Sequence, residues 1–167
     1  MSSVTARIKA VKQPRGGYIK PSMFESIQFD DENVLFSNEN VHASIVGMVV
    51  DYMTRFVMTS DVKYSPITVD GFTFEHGYTD TVDFGDGDFL TADTLWDYKV
   101  SKTGLKNTHT LQLLMYYIMG KHSGKPEFDN ITKIGAFNPR LNIAYALDVK
   151  KIPSDVITVV EHDIIGY

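Results

Sequence analysis

The sequence predicts an α/β fold, with a central mixed β-sheet flanked by helices. Two segments repeat apolar residues every three and four positions, which is the period of an amphipathic helix. Several stretches rich in Thr, Val, Phe and Tyr lie between Gly- and Asp-containing turns and are typical of strands. The chain has 167 residues, of which 43% are hydrophobic and 22% charged. This is enough for one domain with a sizeable core, so a single domain is expected over residues 1–167.

The first half of the chain is predicted to contain one helix and two strands. Residues 1–40 are expected to be irregular, because Pro14-Arg15-Gly16-Gly17 and Pro21 interrupt any early element. Asn40 is a candidate N-cap for a helix over 41–58. The apolar stripe of that helix would be Ile45, Val46, Val49, Met53 and Phe56. Residues 66–84 are expected to form two strands, with the turn at Asp70-Gly71 or at Glu75-His76-Gly77.

The second half is predicted to begin with a hairpin of strands 86–91 and 94–101. A helix is expected over 108–120, with Gly120 near its end. Strands are predicted over 131–137 and 142–149, and a last helix over about 153–166, starting at Pro153. The buried side of the helix at 108–120 would be Leu111, Leu114, Met115 and Ile118.

Composition excludes several classes of protein. The chain has no cysteine, which rules out disulfides, thiol catalysis and iron–sulfur clusters. It has no apolar run long enough to span a membrane and no apolar segment near its N-terminus, so we expect a cytoplasmic protein without membrane contact. The run Gly85-Asp86-Gly87-Asp88 lacks the Lys-Ser/Thr of a P-loop, so no nucleotide cofactor is expected.

The charge is strongly segregated along the chain. The net charge of -5 argues mildly against a nucleic-acid-binding protein. Between positions 62 and 97, however, eight carboxylates accompany one lysine, and from 98 to 151 bases outnumber acids. Such a distribution can place a cation site beside a phosphate-binding surface, although charge alone favours an ordinary mixed surface.

The hairpin carries the most informative side chains. With its centre at Ala92-Asp93, Leu90 would pair with Leu95, Phe89 with Trp96, and Asp88 with Asp97. Two directly opposed carboxylates repel each other, unless one is protonated or a cation lies between them. Mg²⁺ suits a site of one or two carboxylates. A solvent-facing hairpin with scattered acids remains the alternative.

These residues form part of an ordered motif. Asp88 precedes the triplet Asp97-Tyr98-Lys99, which is followed by Gln112-Leu-Leu-Met-Tyr116 on a predicted helix. This order resembles the PD-(D/E)XK nuclease superfamily, in particular its RecB-like branch. The resemblance covers about 41–149 and implies a restriction-endonuclease-like core with elements in the order αβββαβ. Gly87 stands where the motif has proline.

The resemblance implies roles for individual residues. Asp88 and Asp97 would be metal ligands for Mg²⁺ or Mn²⁺, with the backbone carbonyl of Tyr98 as a third. Lys99 would be the catalytic lysine, and Gln112 and Tyr116 would line the site or touch DNA. A further ligand is expected from the first core helix. Its candidates are Asp51 first, then His42 and Glu39, and Asp86 is an alternative to Asp88.

The function expected from the resemblance is metal-dependent hydrolysis of DNA phosphodiesters, as in compact phage or mobile-element nucleases. DNA would be held through phosphates by Lys102, Lys106, Lys121 and Arg140. His109 would be either a helix cap or a phosphate contact. The alternative is a protein of the same fold that binds DNA or a protein partner without cleaving.

Overall fold

A six-stranded mixed β-sheet forms the centre of the protein. The computed structural model describes residues 2–28, 67–141 and 143–167. The strands are β1 Ser2–Ser3, β2 Glu25–Gln28, β3 Val69–Thr73, β4 Val82–Phe84, β5 Asp86–Leu90, β6 Thr94–Tyr98, β7 Lys133–Asn138 and β8 Ile143–Asp148. The sheet order is β2-β8-β7-β6-β5-β3, and β6 and β7 are its parallel pair. Strands β1 and β4 form a separate two-stranded parallel sheet.

Three helices accompany these strands in the described part of the chain. They are α1 Val4–Ala10, α2 Asn107–Ser123 and α3 Ser154–Val159, and α3 continues into a π-helical turn over Val160–Ile165. Because β6 and β7 are parallel, the chain must cross over between their ends, and α2 makes that crossover. A coarse α/β architecture with a mixed sheet flanked by helices is thereby confirmed.

Helix α2 is buried on nearly all sides. The predicted apolar residues Leu111, Leu114, Met115 and Ile118 are all buried, and so are Leu113 and Met119 on other sides of the helix. The sheet, α1 and the segment after α3 all pack against α2. A helix that is covered in this way can be apolar around its whole circumference.

The end of α2 lies beyond the predicted position. The helix continues to Ser123 and is terminated by Gly124, whose φ of 69° is left-handed. Gly120 lies inside the helix instead, where it faces the ring of Phe128. A Cβ on Gly120 would approach Phe128 Cδ1 to 2.6 Å. This glycine therefore provides space for an aromatic ring and does not end the helix.

The prediction that residues 1–40 are irregular was wrong in the part that the structure describes. The Ser3 hydroxyl accepts the Ala6 N–H at 3.1 Å and so caps α1, which buries Val4 and Ile8. Strand β2 pairs with β8 at the edge of the sheet. The predicted helix at 41–58 lies outside the described residues.

The strands predicted over 66–84 are present as β3 and β4, with a turn at residues 75–77. They do not pair with each other, however. Strand β3 pairs with β5, and β4 pairs with β1.

Among the described residues, no helix is long and apolar enough to cross a membrane.

Two of the three pairs predicted for the hairpin of β5 and β6 are present, and the pair of Asp88 with Asp97 is not among its backbone pairs. Phe89 pairs with Trp96 and Leu90 with Leu95. The Thr91 N–H donates to the Thr94 carbonyl at 3.0 Å, and the Trp96 indole N–H donates to the Thr91 hydroxyl at 3.1 Å. These two hydrogen bonds connect the strands across the Ala92-Asp93 turn. They fix which residues lie opposite each other further along the strands.

Gly120→Ala is expected to destabilise the protein, although alanine is the better helix former by about 1 kcal/mol. The new methyl would force the buried Phe128 ring to move, at a cost of about 1–3 kcal/mol. Urea unfolding measures the change. Gly104→Ala is the control, because a Cβ there meets only the Tyr145 hydroxyl, at 3.5 Å. Equal stability of the two variants would contradict the packing argument.

Candidate functional site

The site begins where β5 and β6 separate. Beyond the Phe89–Trp96 pair, the Asp88 carboxylate accepts the backbone N–H of Tyr98 at 2.7 Å. A side-chain carboxylate, and not a backbone carbonyl, thus accepts this strand N–H. Asp88 is held against β6, within interaction range of the Asp97 carboxyl.

A chain of polar contacts connects Asp97 to helix α2. Lys99 forms an ion pair with Asp97 and donates a hydrogen bond to the Gln112 side-chain carbonyl. The Gln112 amide then donates to the Tyr116 hydroxyl at 3.0 Å. Gln112 and Tyr116 share one face of α2 because they are four residues apart. The structure thus brings together the five residues named from the motif: Asp88, Asp97, Lys99, Gln112 and Tyr116.

Burial dominates the electrostatics of this cluster. Asp97 is only 5% exposed. Burial raises its pKa to about 7, the Lys99 ammonium opposes that shift, and the negative charge of Asp88 reinforces it. Burial likewise raises the pKa of the Tyr116 phenol, and the charge of Asp97 adds to the effect. Tyr116 therefore stays protonated and keeps a hydrogen to donate.

Asp88 and Asp97 supply two carboxyls that a hard divalent cation could use as ligands. Lys99 pairs with Asp97, which interacts with the neighbouring Asp88 carboxyl and holds a proton more tightly than an ordinary aspartate does. A cation between the two carboxyls would replace that proton, and carboxylate oxygens are the ligands that Mg²⁺ prefers. Within the described residues, no group of three or more His, Asp and Glu could hold a metal ion. The candidates for a further ligand (Asp51, His42 and Glu39) lie outside the described residues.

The sequence also predicts the Tyr98 backbone carbonyl as a metal ligand and Asp86 as an alternative to Asp88. The Tyr98 backbone follows Asp97 directly, whereas its ring lies between those of Phe89 and Phe137, at centroid distances of 5.2 and 6.1 Å. The Asp86 side chain is exposed, and the described contacts that connect Asp88 to β6 do not include it.

The predicted DNA-binding residues do not form one group. Lys102 and Lys106 are exposed on the segment between Lys99 and α2, and Arg140 lies in the turn between β7 and β8. Lys121 lies near the opposite end of α2, where its ammonium donates to the Phe128 carbonyl at 2.7 Å and to the Asp129 carbonyl at 3.0 Å. Lys121 therefore has a structural partner far from the cluster.

Asn138 organises the segment after Lys99 and is not among the residues that the sequence predicts for the site. It is 2% exposed. Its amide donates to the Ser101 carbonyl at 3.0 Å, and its carbonyl accepts the Arg140 N–H at 3.1 Å. The side chain thus ties the Lys99–Lys106 segment to the turn that carries Arg140. A polar residue directly before Pro139 was the available signal.

His109 acts as a helix cap. Its Nδ1 accepts the backbone N–H of Lys106 at 3.1 Å. Burial lowers the pKa of its ring to about 4, and the charges of Lys99 and Lys106 act in the same direction. The ring is therefore neutral near pH 7, with its proton on Nε2.

Comparison of the chain with protein-family models, with curated proteins and with solved structures found no match.

The Asp97 carboxyl is expected to make stability depend on pH in metal-free solution. It binds its proton more tightly in the folded protein than in the unfolded chain, where the pKa of aspartate is about 4. The stability that this proton contributes is complete below about pH 4 and is lost as the pH rises through about 7. In EDTA, the free energy of unfolding of the wild type relative to Asp97→Asn should fall over that range, by at most about 1.4 kcal/mol per pH unit.

Asp83→Asn serves as the control, because Asp83 is an exposed acid outside the cluster. It should keep the pH dependence of the wild type. Identical pH profiles for the wild type and Asp97→Asn would contradict the assignment of the raised pKa.

Proposed function

We propose that the protein is a Mg²⁺- or Mn²⁺-dependent nuclease that hydrolyses DNA phosphodiester bonds. One observation carries the proposal. Two carboxyls from neighbouring strands, Asp88 and Asp97, lie together with Lys99 in a partly buried cluster that helix α2 completes. Buried carboxyls in contact with a lysine are costly to maintain in a purely structural role. The same arrangement suits phosphodiester hydrolysis.

Asp88 and Asp97 would hold the cation. When bound, the cation would neutralise charge on the phosphodiester and acidify the attacking water. Asp88 is kept in position by the Tyr98 N–H, and Asp97 lies on β6 beside it.

Lys99 would orient the attacking water or stabilise negative charge on the phosphate. Its ammonium contacts both Asp97 and Gln112, so its position is fixed from the sheet and from the helix. The Gln112 amide accepts from Lys99 and donates to Tyr116, and only one orientation of the amide satisfies both. Gln112 is therefore a positioning residue for Lys99.

DNA would be held by two exposed lysines and a half-buried arginine beside the cluster. Lys102 and Lys106 follow Lys99 along the chain, and Asn138 keeps Arg140 next to the same segment. Contacts of this kind reach phosphates and not base edges, so binding without sequence preference is expected. We omit Lys121 from this surface because its ammonium is bound to backbone carbonyls.

The proposal predicts cleavage of linear or circular DNA in Mg²⁺ or Mn²⁺ and none in EDTA. Asp97→Asn and Lys99→Met should each lower the cleavage rate by at least about a hundredfold, since each removes a charge at the reacting phosphate. Gel electrophoresis of timed digests measures the rate. Asp83→Asn and Lys150→Met are matched controls, because both residues are exposed and lie outside the cluster.

Cleavage that survives either cluster substitution would contradict the site assignment. If no DNA is cleaved in either metal while DNA binding persists, the chain is a binding protein with this architecture.

Metal binding can be measured without cleavage. At pH 7.5, saturating Mg²⁺ or Mn²⁺ should raise the melting temperature of the wild type, because binding to the folded state alone stabilises it by about 2.7 kcal/mol at a hundred times Kd. Asp97→Asn should lose this rise and Asp83→Asn should keep it. An equal rise in the wild type and Asp97→Asn would place the cation elsewhere.

A further inference from the structure

A cavity between α1 and α2 adjoins the cluster. Its volume is about 200 Å³, and it is open to solvent on one side. Helix α1 contributes Thr5, Ile8 and Lys9, and the first turns of α2 contribute Thr108, His109 and Gln112. Gln112 belongs to both places, because its amide also contacts Lys99 and Tyr116.

Most of the exposed surface of the cavity is apolar, and the polar groups at it are cationic or neutral. None of these six residues is acidic, and five of them carry a polar side chain. Lys9 supplies an exposed ammonium, and Thr5 and Thr108 supply hydroxyls. The sixth residue, Ile8, is 7% exposed and gives the cavity an apolar wall. A cation would find no anionic ligand among these six residues, whereas a phosphate could accept from the Lys9 ammonium and from the hydroxyls.

The His109 ring adds an N–H donor whose orientation is fixed by the hydrogen bond to Lys106. Because Nδ1 accepts the Lys106 N–H at 3.1 Å, the ring is fixed and its proton lies on Nε2. The ring is neutral and lies within the electrostatic influence of Lys99 and Lys106. A neutral imidazole N–H beside ammonium groups can donate to a phosphate without adding a further positive charge.

The cavity is held rigidly next to the cluster. The Arg7 guanidinium on α1 donates to the backbone carbonyls of Ile164 and Asp163, each at 2.9 Å. The buried side chains of Val4 and Ile8 pack in the same core as α2. Lys9 therefore projects from a helix that is fixed relative to Gln112.

We propose that the α1–α2 cavity binds a second phosphate group of the nucleic-acid strand whose neighbouring phosphodiester lies at Asp88 and Asp97. This inference rests on the proposed nuclease function and extends it, since it assigns α1 to substrate binding. The phosphate is either an internal diester or a terminal monoester of the strand, and both have the same chemistry at the cavity.

The test measures binding in EDTA, so that no cleavage occurs. The probe is a fluorescent oligothymidylate of about ten nucleotides, a length within the range of single-stranded DNA sites. Lys9→Gln should weaken binding by about threefold to tenfold and reduce the slope of log Kd against log salt by about 1. His109→Asn, which keeps an acceptor for the Lys106 N–H, should weaken binding in the same direction.

Lys150→Gln is the matched control. It makes the same change of charge at an exposed lysine just after β8, at the end of the sheet opposite to Asp97. Its affinity should equal that of the wild type. Melting temperatures equal to that of the wild type verify that the variants are folded. If Lys9→Gln has the same affinity and salt slope as Lys150→Gln, the inference is overturned.

A second arm distinguishes the two sources of phosphate. Oligonucleotides with a 5′-phosphate, a 3′-phosphate or no terminal phosphate are compared in the wild type and in Lys9→Gln. A terminal phosphate that strengthens binding in the wild type but not in Lys9→Gln identifies the monoester. An effect of Lys9→Gln that is equal for all three probes identifies the internal diester. Each of these results supports the cavity as a phosphate site.

The two proposals fail in different ways. Binding that depends on Lys9, without cleavage in any metal, retains the phosphate site and rejects the nuclease. Metal-dependent cleavage together with unchanged binding by Lys9→Gln retains the nuclease and rejects the phosphate site.

Discussion

The interaction on which the site depends is the placement of a buried acid, Asp97, beside a second acid on the neighbouring strand. Strand β6 lies between β5 and β7, so a side chain near its end has neighbours on both sides. The hairpin register, which the adjacent pairs Phe89–Trp96 and Leu90–Leu95 fix, brings Asp88 to the end of β6. Every other polar contact of the cluster offsets the charge of these two carboxyls or orients a group that does so.

Part of this arrangement could be predicted because it depends on local sequence. The hairpin has only two residues in its turn, so its register follows from alternation once the turn is located. The contact between Gln112 and Tyr116 follows from helical spacing. The approach of Lys99 to Gln112 was expected only from the resemblance, since nothing in the spacing of the two residues requires α2 to pack over the end of β6.

The sequence predictions that were wrong concern features that depend on tertiary packing. Helix α1 has only seven residues and lies before a proline–glycine run, so its stability comes from the burial of Val4 and Ile8 and not from its propensity. Gly120 was predicted near the end of α2, but it faces the Phe128 ring inside the helix, which ends at Gly124. Lys121 was grouped with the other bases by charge alone, whereas its hydrogen bonds to backbone carbonyls assign it to the fold.

The hydrogen bonds from Arg7 to the carbonyls of Asp163 and Ile164 have a consequence for the order of folding. The Arg7 guanidinium binds carbonyls 156 and 157 residues away along the chain, so this contact closes a very large loop. Contacts of such long range form slowly, because the entropy of loop closure is lost before any stabilisation is gained. During synthesis, Arg7 is made well before Asp163 and Ile164 and has no partner for this contact until they follow. The sheet and α2 can therefore form the acidic cluster before α1 is fixed beside it, although α1 is made earlier than both.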